Sequence, residues 1–154
     1  MELITFRKLT ETEKLEYLTK AAKEDRLKFI FDIKTVDWDW VKMNNVYAGF
    51  YGKKIVGFYY FYNLNGQTLN IAFGYFGKFG KNTLAVIRHC LRSFRQEYGI
   101  IGEVNEKNIP TIKLCRTYLD NPHEFILPNA DENNTSRYIF YWSKQNKESE
   151  VTNE

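Results

Sequence analysis

Between a strand-like and a helix-like stretch the chain reads Tyr75-Phe76-Gly77-Lys78-Phe79-Gly80-Lys81-Asn82-Thr83. Glycines let a backbone approach a ligand closely, and a helix N-terminus offers unpaired N–H donors and a partial positive charge to an anion. Lys78 and Lys81 add point charges. A turn of this kind can cradle a phosphate; its plainer reading is a tight connection. It is not the nucleotide P-loop, whose long glycine spacing and Gly-Lys-Thr ending are missing.

A second junction lies at Val104-Asn105-Glu106-Lys107-Asn108-Ile109-Pro110-Thr111-Ile112-Lys113-Leu114-Cys115. Asn108 suits a helix cap, and Pro110 suits the first turn, where its missing N–H costs nothing. Further along stand Cys115 and Tyr118, three residues apart and so on neighbouring faces. A thiol and a phenol, with ordinary pKa values of about 8.5 and 10, can each donate a proton. The cysteines Cys90 and Cys115 and the histidines His89 and His123 show no metal-ligand spacing, and nothing points to a disulfide.

The elements that hold these junctions follow from periodicity. Glu2 to Leu9 alternates and predicts an edge strand. Thr10 and Glu13 have capping-box spacing, opening a helix with Leu15, Leu18 and Ala22 inward. A second helical stretch carries Leu27, Ile30 and Phe31. Asp37-Trp38-Asp39-Trp40 reads as a loop, packed over the core edge or forming a substrate-facing lid. Val46 to Tyr51, a Gly52-Lys53 turn, Lys54 to Tyr62, an Asn65-Gly66 turn and Leu69 to Tyr75 make a three-stranded meander. Leu84, Ile87, Leu91, Phe94 and Tyr98 form one helical stripe over Asn82 to Tyr98, with Arg88, Arg92 and Arg95 on a solvated face. Ile100 to Val104 is a short strand, the helix from Asn108 runs to about Leu119, and Glu124 to Leu127 and Ser136 to Trp142 close the sheet. Strand, long helix and strand around the first junction form a right-handed unit with parallel strands.

The expected fold is therefore α/β, a single mixed, mostly antiparallel sheet of about seven strands with helices on both faces. Residues 1–143 form one domain, and 144–154 a polar tail expected to be disordered. The 154 residues are 44% hydrophobic and 27% charged, which excludes a wholly disordered chain, and the net charge of +3 does not call for nucleic acid. Aromatic residues make up 17% of the chain, which favours sheet packing. Tyr59-Tyr60-Phe61-Tyr62 is aromatic on both faces, as in a strand buried on both sides, rather than on the single face that base stacking needs. The N-terminus lacks a signal-peptide pattern and no apolar run reaches membrane-spanning length, so the expectation is a cytoplasmic protein with no membrane partner.

From residues 2 to 142 the order of elements resembles the GNAT superfamily of N-acetyltransferases, and two motifs carry the likeness. Val46 to Gly57 resembles that family's first hairpin, with its Gly-Lys-Lys-Ile-Val-Gly turn, and Val104 to Cys115 resembles its late strand-to-helix motif. The resemblance implies acetyl-CoA as cosubstrate, its pantetheine inserted between two splayed parallel strands. Gly77 to Thr83 (Gly77, Lys78, Gly80, Lys81, Asn82 and Thr83) would hold pyrophosphate. The strand Asn70 to Tyr75, Phe73 and Tyr75 included, would pair with pantetheine, and Asn108 would bond its arm.

The sequence also departs from the family pattern. Gly77 stands where that loop usually has Arg or Gln, and Asn82 replaces its last small residue. Cys115 aligns with the tyrosine that often protonates the departing thiolate, and Tyr118, one turn on, is the favoured substitute. No carboxylate lies on Leu69 to Phe76; Glu103 on the next strand is the nearest candidate for a general base, the alternative being a water relay. The activity implied is acetyl transfer from acetyl-CoA to a primary amine on a small molecule or protein, in a chain that could pair as a homodimer. The alternatives are a catalytically idle GNAT-like binding or assembly protein and, less favoured, a nucleic-acid-binding module.

Overall fold

In chain order the elements are β1 (Thr5–Lys8), α1 (Glu11–Lys23), β2 (Val46–Tyr51), β3 (Lys54–Asn65), β4 (Thr68–Tyr75), α2 (Lys81–Phe94), β5 (Gly99–Asn105), α3 (Ile109–Tyr118), β6 (His123–Leu127) and β7 (Arg137–Trp142). They are seen in a computed structural model that describes residues 3–23, 39, 44–77, 80–130 and 134–145. Among these residues the strands form one mixed sheet in the order β1-β2-β3-β4-β5-β7-β6. The predicted helix with Leu27, Ile30 and Phe31, the tryptophans Trp38 and Trp40, and Lys78 lie outside the described residues.

The capping box forms as its spacing requires. Thr10 N donates to Glu13 Oε1 at 3.0 Å, and Glu13 N donates to Thr10 Oγ1 at 3.2 Å. Arg7 on β1 adds two bonds of 2.8 and 2.7 Å to the same carboxylate, tying helix to strand. That guanidinium, with the Thr10 amide, holds the Glu13 pKa down at about 2. The inward stripe differs from the predicted one: Leu15 is 51% exposed, while Lys14, Leu18 and Ala21 are buried. Both stripes share Leu18. The Lys14 ammonium decides between them by donating to Asn44 O at 2.8 Å, which turns its aliphatic stem under the helix.

The meander is antiparallel throughout, and Asn65 pairs with Thr68. The second turn is therefore Gly66-Gln67, one residue later than predicted, with Gly66 at φ 62°. Tyr59 and Tyr60 are buried in opposite cores, as a doubly covered strand requires. β4 and β5 are parallel neighbours joined through α2, as the β-α-β reading predicts. The helix stops at Phe94, short of Tyr98, because the chain turns to start β5 with Gly99 N donating to Gln67 O at 2.9 Å. Arg95 is not on a solvated face. It is buried, donating from Nε to Ser143 O at 3.0 Å and from Nη1 to Asp120 at 3.4 Å. Its carbonyl accepts from Gln145 N, so the first residues of the predicted tail are bound to the domain; residues 146–154 lie outside the described residues.

Helices cover both faces. α2 and α3 pack on Leu69, Ile71, Phe73, Ile100 and Val104, and α1 packs on the other face over Phe50, Phe58, Tyr60 and Ala72. Cys90 and Cys115 are both buried and free. No helix among the described residues is long and apolar enough to cross a membrane.

Candidate active site

The central parallel pair is short. Thr68, Leu69, Asn70 and Ile71 face Gly99, Ile100, Ile101 and Gly102, and there the pairing ends. β4 continues to Tyr75 along β3, and β5 continues to Asn105 along β7, so the two strands part company. Each follows the antiparallel neighbour that pairs with it over more residues. Beyond Ile71, β4 has a strand partner on one edge only. At the fork stands Gly102, where a Cβ would come within 3.3 Å of the Trp142 ring.

Two cavities lie between α2 and α3. The inner one, about 20 Å³, is floored by the fork and lined by Phe73, Glu103, Asn108, Thr111 and Cys115 among others. That volume suits about one water molecule. The outer one, about 420 Å³, is walled by Gly80, Lys81 and Leu84 of the α2 start and by Pro110, Lys113, Leu114 and Tyr118 of α3.

The α2 start borders the outer cavity. Gly77 has φ 79°, a left-handed turn that glycine takes without strain. Gly80 caps the helix, its N–H donating to Thr83 Oγ1 at 3.2 Å, and the first helical bond runs from Leu84 N to Gly80 O at 3.0 Å. The N–H groups of Lys81, Asn82 and Thr83 therefore emerge from the helix end, with no acidic side chain in the first turn. Thr83 itself is fully buried and its hydroxyl serves the cap, so it presents no surface to a ligand. A Cβ on Gly80 would meet nothing within 4 Å, which marks open space on the cavity side.

On α3, Asn108 Oδ1 accepts from Thr111 N at 3.4 Å, and its Nδ2 has no partner among the described residues. The helix is pinned at its far end by Trp142 Nε1 donating to Leu119 O at 2.8 Å.

Similarity in three dimensions decides the fold. The sequence matches no protein-family model and no curated protein. The structure is similar to a Salmonella typhimurium protein described as an acetyltransferase and solved with acetyl-CoA, at 12% identity and TM-score 0.74 over 93% of this chain and 95% of that one. It is similar to the ribosomal-protein-alanine N-acetyltransferase of Brucella melitensis, at 13% identity and TM-score 0.74 over 90% and 99% of the two chains. A GNAT family acetyltransferase of Elizabethkingia anophelis with acetyl-CoA bound aligns at 15% identity and TM-score 0.68 over 93% and 99%.

The chain has the GNAT fold.

Within the GNAT fold the residues singled out from sequence separate into two groups. Phe73, Glu103, Asn108 and Cys115 converge on the inner cavity, while Gly80, Lys81 and Tyr118 meet at the outer one. Tyr75, Gly77, Asn82 and Thr83 line neither. Tyr118 is 57% exposed. Cys115 is 3% exposed, and burial, helped by the Glu124 charge, pushes its thiol up to about 12, so it keeps its proton at neutral pH. Sequence reasoning missed Gly102, Thr111, Lys113 and Trp142. Lys113 was visible as a basic residue on the exposed side of α3, but its position opposite Lys81 comes from helix packing.

Proposed function

We propose that this chain is an N-acetyltransferase that moves an acetyl group from acetyl-CoA to a primary amine. The observation that carries the reading is the fork between β4 and β5, which floors the inner cavity, with the N-terminus of α2 bordering the outer one. Two of the similar structures hold acetyl-CoA, which supports that cosubstrate here. Its pyrophosphate would take the helix-end amides of Lys81 and Asn82, with Lys81 and Lys113 adding charge across the outer cavity. Its pantetheine would follow the edge of β4 opposite β3, from Ala72 to Tyr75, and accept from Asn108 Nδ2.

At the fork, Glu103 takes a proton from the acceptor ammonium. The freed nitrogen attacks the thioester carbon, the N–C bond forms and the C–S bond breaks. The carbonyl oxygen would be met by backbone N–H groups of the parting strands. The sequence favoured Tyr118 as the acid, but the convergence on the inner cavity favours Cys115. A thiol with a pKa near 12 holds its proton more tightly than the departing thiolate would, so it serves as an S–H hydrogen-bond donor. As the C–S bond breaks the newly bonded nitrogen sheds its second proton, which ends on the coenzyme A sulfur, while the first, taken by Glu103, passes to solvent. Two buried, free cysteines suit the reducing cytoplasm.

The test is calorimetric titration with acetyl-CoA, followed by free-thiol release against a panel of amines. Micromolar binding with thiol release is the expected result. Binding without release on any amine would favour the idle, binding-protein reading. No binding at millimolar ligand would overturn the assignment.

A further inference from the structure

The face of the sheet away from α2 and α3 carries a second feature at the same fork. Register places Ile101 beside Tyr141, and Glu103, Ile139 and Phe125 in one row across β5, β7 and β6. None of these side chains is buried; Phe125 is 57% exposed, and none joins the core under α1. Among them Arg137 Nη1 donates to Glu103 Oε2 at 3.4 Å, longer than the usual charge-assisted bond of about 2.7–2.9 Å. Both members are partly solvated, with side chains 39% and 27% exposed, so a ligand can reach them from solvent. Glu103 follows Gly102 at the fork and is among the residues that border the inner cavity.

We infer that the acceptor is a small zwitterionic amine with an apolar side group, of the α-amino acid type, held by Glu103 and Arg137 over the Ile101, Ile139, Tyr141 and Phe125 surface. The inference rests on reading the fork as the point of acyl transfer. The helix side of the fork is committed to the cosubstrate, so the nucleophile arrives from this face. A ligand whose ammonium and carboxylate sit on neighbouring atoms complements an adjacent carboxylate and guanidinium: the ammonium goes to Glu103, beside the thioester, and the carboxylate to Arg137, whose planar fork fits it. The apolar row beside the pair then takes the side group.

Matched ligands test this by ligand-observed NMR titration, with and without coenzyme A: L-phenylalanine against 2-phenylethylamine, and L-leucine against 3-methylbutylamine. At least one amino acid is expected to bind about tenfold or more tightly than its decarboxylated partner, and Arg137→Gln to abolish that preference. Arg137→Lys should retain part of it. Equal binding of both pairs, absence of amino-acid binding at millimolar ligand, or a preference that survives Arg137→Gln would overturn the inference. Coenzyme A supplies the independent control. If it fails to bind while the amino-acid preference stands, the acyl-transfer reading falls and the zwitterion site remains.

Discussion

On one face of the sheet, the strands β2, β3 and β4 bury Phe50, Phe58, Tyr60 and Ala72 beneath Leu18 and Ala21 of α1. On the same face, β5, β7 and β6 leave Ile101, Ile139 and Phe125 partly or largely open. Among the described residues the first half is covered by helices on both sides and knit by long antiparallel pairing, and the second is covered by α3 on one side. Only four parallel residue pairs join them. A cleft opens where two well-paired blocks meet along a short seam, and the less covered block has surface to spare for recognition.

The contrast is broken most directly by truncating matched aromatics. Phe58→Ala, in the covered half, should cost about 3–5 kcal/mol, whereas Phe125→Ala, in the open half, should cost less than about 1 kcal/mol. Urea denaturation of both variants measures the difference. Equal costs would mean that the two halves are equally buried in solution.

Gly80→Val probes the seam's ligand side. Gly80 has φ 170°, extended backbone that any residue adopts, and open space where its Cβ would lie. Stability should hold while affinity for coenzyme A falls about tenfold or more, as the branched side chain fills the approach to the α2 amides. Calorimetry and a melting curve on the same sample separate the two. Cys115→Ala should lower turnover by about tenfold, below the 10²–10⁴ range of a true general acid. A loss of a thousandfold would instead make Cys115 the proton donor.

A smaller effect concerns how α1 is fastened to the covered half. The Glu13 pKa is depressed in the folded protein, to about 2, so its contribution is present above the unfolded value and is lost as pH falls through the folded one. Between roughly pH 5 and pH 2 stability should drop by about 1 kcal/mol or less, since the carboxylate is largely solvated. Glu13→Gln should flatten that part of the profile, measured by urea midpoints against pH. The smallest expected effect is Tyr118→Phe, which should leave turnover within about twofold of the parent. A large loss there would return the acid role to the exposed phenol.

Local patterns settled much of this protein before any packing was considered. The capping box at Thr10 and Glu13, the left-handed glycines of the meander, the Asn108 cap and the parallel β4-α2-β5 unit each depend on residues near one another in the chain or on the fixed hand of the crossover. Their physics is complete within a turn or a strand pair, so the sequence spells it out. Other features required distant partners. Lys14 rather than Leu15 turns inward because a carbonyl at Asn44 waits for its ammonium, and Arg95 is buried because Ser143 and Asp120 receive it. Cys115 and Tyr118 are neighbours on one helix, and only the packing of α3 against the fork put the thiol in the inner cavity and the phenol outside. The placement of Lys113 across from Lys81, and of Arg137 beside Glu103, likewise joins segments that periodicity treats separately. A helical or alternating pattern fixes which residues share a face; which neighbour that face meets is decided by the summed packing of the whole chain.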